Sequence, residues 1–228
     1  MTTSDPIPLN LPRAFQAVHS ALLPHREALN LADSESGKHG DELLDLFAVL
    51  AATDEHPEPQ TSPSVLFDRA AERAAGISDN QSAQFYAQGL SHFADSLRNQ
   101  DLTVGDLAPY LLSVLTGAPE PPDSVGSVSQ GRLLKALIKG LSAWDDQQSS
   151  QESKSSTFSM GYLFDLGVDY LQALQHGATR VDAIVQAAVR HSPLRSPDYR
   201  TVSGKLVLTA LLESIVQQAT ENQGSSGG

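Results

Sequence analysis

The 228-residue chain contains no cysteine. That excludes disulfides, thiolate nucleophiles, iron–sulfur clusters and cysteine zinc sites together, and it fits a reducing compartment. Aromatic residues make up only 6%, and the hydrophobic fraction is 40%. Basic residues are also scarce: 15 Lys and Arg stand against 27 Asp and Glu, a formal net charge of −12. Such a balance argues against nucleic acid as a partner, because phosphate-backbone binding needs clustered cations that release counterions. No run approaches the ~18–20 uninterrupted apolar residues of a membrane span. Residues Met1 to Pro12 lack a basic segment followed by an apolar one, so no cleaved signal peptide is expected and the expected location is cytoplasmic.

What is present has helical period. Leu11, Phe15, Val18, Leu22 and Leu29 follow i, i+3/i+4, i+7 spacing, with Pro12 acceptable in a first turn and Pro24 forcing a kink or break. Leu43, Leu44, Phe47 and Leu50 form a second run, ending before a Pro-containing acidic loop from Asp54 to Pro63. Ser64 reads as an N-cap for a helix through Leu66, Arg69 and Arg73, closed by Gly76. Ser82, Tyr86, Gly89, Leu90, Phe93 and Leu97 share one helical face. Further runs cover Thr103 to Gly117, Leu133 to Trp144, Phe158 to Leu174, Thr179 to Val189 and Thr201 to about Ala219. Only Val202 to Leu208 is ambiguous with a strand. The pattern predicts an all-α protein of eight or nine helices.

At ~100–200 residues per domain, this length predicts one domain, at most two. Asp145 to Thr157 is a Gln/Ser-rich tract with almost no apolar residue. The helices flanking it would each expose an apolar face unless they packed together, so a single bundle over residues 1–221 with a long loop at 145–157 is expected. Residues 222–228, ending Gly-Ser-Ser-Gly-Gly, read as a disordered tail.

Several motifs of catalysis are missing: G-x-x-x-x-G-K-[ST], G-x-G-x-x-G, G-x-S-x-G and H-E-x-x-H. Ser203-Gly204-Lys205 has only the last letters of a P-loop. The one dense polar cluster runs from Asn30 to Glu42 and packs Asp33, Glu35, His39, Asp41 and Glu42 into a Gly-containing loop between two helices. Carboxylates so placed can bind Mg²⁺, which needs one or two of them plus waters and phosphate oxygens. The same residues are also explained as helix-start residues, since Asp41 and Glu42 suit the positive end of a helix. A second segment, Gly76 to Tyr86, offers either an N-cap or a place for an anion at a helix N-terminus. Arg190, His191, Arg195 and Arg200 are the only basic cluster, able to clamp an anion or to offset neighbouring acid. Trp144 reads as core.

These segments together resemble the nucleotide-binding (DhaL, or DAK2) domain of dihydroxyacetone kinases, an eight-helix antiparallel barrel. Leu31-Ala-Asp33 and Gly37-Lys-His39-Gly40 stand where that family carries L-D-x-x-x-G-D-x-D-H-G, whose aspartates hold two Mg²⁺ ions. Asn80-Gln-Ser82-Ala-Gln-Phe-Tyr86 is similar to its nucleotide loop G-G-x-S-G-P-L-Y-G, and Gly131 to Leu137 echoes G-D-K-T-M-L-D-A-L. The resemblance implies an antiparallel helical barrel that binds a nucleotide or another phosphorylated small molecule. Asp33 and Asp41 would hold Mg²⁺, and His39, Gly40, Asn80 and Ser82 would contact ATP or ADP. It also implies a separate protein subunit that presents the substrate dihydroxyacetone. Lys38 stands in place of the second aspartate, and Arg132-Leu133 replaces the Thr-Met nucleotide contact, which weighs against two-metal phosphoryl transfer. The alternative expectation is a non-catalytic interaction or regulatory module on the same fold.

Overall fold

The computed structural model describes residues 10–52, 61–98, 169, 172–190, 194 and 198–224. Among these there is no β-strand, and the protein is all-α. Seven helices are bounded: α1 (Leu11–Leu22), α2 (Arg26–Ala32), α3 (His39–Ala51), α4 (Pro63–Ala75), α5 (Gln81–Leu97), α6 (Arg180–Arg190) and α7 (Asp198–Gly224). Residues 169 and 172–175 are also helical, overlapping the run expected from Phe158 to Leu174 and passing its end by one residue. The expected helices at Thr103–Gly117 and Leu133–Trp144, the loop at 145–157 and the Gly131 to Leu137 echo lie outside the described residues.

Local chemistry sets the helix starts. Asn10 caps α1 by accepting the Arg13 N–H at 2.8 Å, and Pro12 sits in the first turn with its φ already helical. After Leu22, Pro24 turns the chain through a short 3-10 segment, Leu23–His25, before α2 begins. That is the break expected from the missing N–H of proline. At α4 the cap is Ser62, not Ser64: Pro63 is the first helical residue, so Ser64 already lies inside the helix, with its hydroxyl 2.8 Å from that of Ser62. Thr179 starts α6 reciprocally with Asp182, accepting its N–H at 3.1 Å and donating to its carboxylate at 2.7 Å.

The last helix departs most from expectation. It begins at Asp198 rather than Thr201 and continues to Gly224 rather than Ala219, taking in three residues assigned to the tail. Asp198 in its first turn suits the positive end. Near its other end Glu221 forms a two-pronged pair with Arg13 at 2.6 and 2.9 Å. The side-chain amide of Gln218 accepts the Asn10 N–H at 2.9 Å and donates to the Asn10 carbonyl at 3.2 Å. These bonds tie the start of α1 to the end of α7.

Among the described residues, two apolar clusters make the core. The larger joins Leu11, Phe15, Val18 and Leu22 of α1 with Leu43, Leu46, Phe47 and Leu50 of α3, and with residues of α4, α5 and α7. All the apolar residues singled out in the first two sequence runs are buried. A smaller cluster gathers Phe85 of α5, Val185 and Val189 of α6, and Leu194. Leu208 and Leu212 of α7 pack on it, while Val207, Ala210 and Ile215 face the larger cluster. Helix α7 is therefore buried along two sides, which is why its pattern lacks one clear apolar stripe.

Candidate functional site

The first turns of α3, α5 and α7 meet at one buried side chain, His39. Its residue is only 4% exposed. Nδ1 lies 3.0 Å from the Ser82 hydroxyl on α5, and Nε2 lies 2.8 Å from the Ser203 hydroxyl on α7. Tyr199 packs against the imidazole edge-on, with ring centroids 4.7 Å apart. Behind Ser82 stands Glu42, whose Oε2 accepts the Ser82 hydroxyl at 2.7 Å and the Ser82 N–H at 3.0 Å.

These distances fix the protons. The single Ser82 hydroxyl proton goes to the Glu42 carboxylate, so its oxygen can only accept from His39. Nδ1 must then carry a proton. Burial, reinforced by the nearby Arg200 and opposed by Asp33 and Glu42, pulls the His39 pKa down to about 4. The neutral ring thus leaves Nε2 bare, and Ser203 donates to it in preference to the Arg200 carbonyl at 3.3 Å. One ordered chain results, from Ser203 through His39 and Ser82 to Glu42. Ser203 itself is 1% exposed.

The remaining residues of the first loop bind inward as well. Asp33 ends α2 and is 6% exposed. Its Oδ1 accepts the N–H groups of Glu35 and Ser36 at 3.0 and 3.2 Å; its Oδ2 accepts the Ser36 hydroxyl at 2.6 Å and the Lys38 N–H at 3.3 Å. Burial pushes this carboxyl upward, but the Ser36 hydroxyl and the three N–H groups outweigh it and hold the pKa at about 2. Gly37, at φ +67°, lets the loop close around the carboxylate. Lys38 thus meets Asp33 through its backbone, and its residue is exposed.

Asp41 lies on α3 facing α2. It forms an ion pair with Arg26, and its Oδ2 accepts from the Asn30 amide at 3.0 Å. Asn30 Oδ1 in turn accepts the N–H groups of Gly40 at 2.7 Å and Asp41 at 3.2 Å, so a side chain of α2 caps α3. The Arg26 and Asn30 bonds hold the Asp41 carboxyl below its usual range. At Gly40 the helices touch: a Cβ there would stand 2.2 Å from the Arg26 carbonyl oxygen.

In the second loop, Asn80 caps α5 by accepting the Ala83 N–H at 2.6 Å, and it donates to the Glu42 carbonyl at 2.8 Å. The two sequence segments are therefore neighbours, joined by the His39–Ser82 and Asn80–Glu42 bonds. Asp33 and Asp41 instead serve separate hydrogen-bond sets. Among the described residues, no three His, Asp or Glu side chains gather into a group able to hold a metal ion. Arg200 of the basic cluster stacks over Phe85 at 4.5 Å and lies 5.9 Å from the Tyr199 ring. Arg190 pairs with Asp169 at 2.7 Å, while His191 and Arg195 lie outside the described residues. Sequence reasoning did not assign Ser203, Tyr199 or the capping role of Asn30. Ser203 had a signal, because it shares the buried face of Val207, Ala210 and Ser214 at helical spacing.

Compared with known proteins, the chain matches no family model, no curated protein and no solved structure. Among the described residues, no helix is long and apolar enough to cross a membrane.

Proposed function

We propose that the chain is a non-catalytic interaction or regulatory module, built on a DhaL-like antiparallel helical barrel. The observation that supports this reading is the use of the carboxylates. Both oxygens of Asp33 accept bonds from its own loop, and both oxygens of Asp41 are engaged by Arg26 and Asn30. A kinase of the dihydroxyacetone type needs such carboxylates turned toward Mg²⁺ and the nucleotide phosphates. Here, turning them would strip at least four hydrogen bonds from a buried group. The test is phosphoryl transfer from Mg²⁺-ATP, with dihydroxyacetone as acceptor, followed with the purified protein. No turnover above background is expected. Turnover that disappears in Asp33→Asn and Asp41→Asn would overturn the reading.

A second reading, binding of a nucleotide or another phosphorylated small molecule, is favoured by one observation. The first turns of three helices converge beside Arg200, and helix N-termini with an adjacent guanidinium attract phosphate oxygens. Its contacts would come from Gly40, Asn80, Ser82 and His39. Because His39 is neutral, the cation would be Arg200. Thermal shift with ATP, ADP and inorganic phosphate, each with and without Mg²⁺, tests it. A shift at millimolar ligand that is lost in Arg200→Gln supports this reading, and no shift removes it.

A further inference from the structure

We draw no further inference here: the strongest candidate, the outward apolar face of α2 formed by Ala28, Leu31 and Ala32 with Leu31 87% exposed, carries nothing because the structure does not show what covers it.

Discussion

At the scale of single residues, His39 and Asp33 both titrate below their ordinary ranges, and each shift follows from its neighbours. His39 binds its proton more weakly folded than unfolded, with a pKa of about 4 against an ordinary 6.5. Between those values the unfolded chain binds more protons, so stability is complete above about pH 6.5 and falls as the pH drops toward 4. The loss is on the order of 2–3 kcal/mol for a shift of this size. Urea unfolding from pH 7 to pH 4 should show that slope, and His39→Gln should abolish it. Asp33 acts in a lower window. Its depressed pKa makes its contribution present above about pH 4 and lost as the pH falls toward 2. A further expectation concerns the ring itself: nitrogen NMR of labelled protein at pH 7 should find Nδ1 protonated and Nε2 bare. The opposite tautomer would mean that Ser82 does not donate to Glu42. Sequence reading grouped His39, Gly40, Asn80 and Ser82; in the fold His39 bonds to Ser82, Asn80 to the Glu42 carbonyl and Gly40 to Asn30. The resemblance assigned Asp33 and Asp41 to Mg²⁺, and spacing along the chain carries no information on the hydrogen bonds each of them makes. Nothing in the string Asp-Ser-Glu-Ser-Gly-Lys says that the loop closes back on its first carboxylate.

Helix starts and close approaches belong to the scale of elements. Starts were legible wherever the signal was local, as with Pro24, Asn80, Thr179 and the Pro12 first turn. They were misplaced where proline reset the register, as at Ser62-Pro63. They were invisible where the cap came from another helix, as with Asn30 on α3. The α2–α3 crossing gives a sharp test. Gly40→Ala places a methyl group against a backbone carbonyl, which cannot yield without moving a helix. A loss of about 1–3 kcal/mol is expected in urea unfolding, as for an overpacked site. Gly204→Ala is the control. The three atoms nearest to its Cβ would all belong to the Leu194 side chain, at 3.0–3.2 Å, rather than to backbone, so it should cost clearly less. Equal losses at both positions would contradict the close approach of α2 and α3.

At the scale of the whole molecule, α7 links the two apolar clusters and returns to the beginning of α1. Its 27 residues were the hardest to read, because a helix buried on two sides shows no single stripe. The all-α class was legible from period alone, whereas helix pairing was not, since it depends on contacts far apart in sequence. The clamp between Asn10 and Gln218 is one such contact. Gln218→Ala removes the partner of the part-buried Asn10 N–H and one of the two bonds to the Asn10 carbonyl, which keeps the Ala14 N–H, and should cost about 0.5–1.5 kcal/mol. Arg13→Ala, which breaks the exposed pair with Glu221, should cost under about 1 kcal/mol. The central claim is that the carboxylates of Asp33 and Asp41 hold the fold rather than a metal. Its most direct test is urea unfolding of wild type and Asp33→Asn at pH 7, each with and without millimolar Mg²⁺. The account predicts that the substitution destabilises by about 1–3 kcal/mol, because a charged acceptor of four hydrogen bonds is replaced, and that Mg²⁺ changes neither protein. It would be contradicted if Mg²⁺ stabilised wild type but not Asp33→Asn, or if the substitution left stability unchanged or raised it.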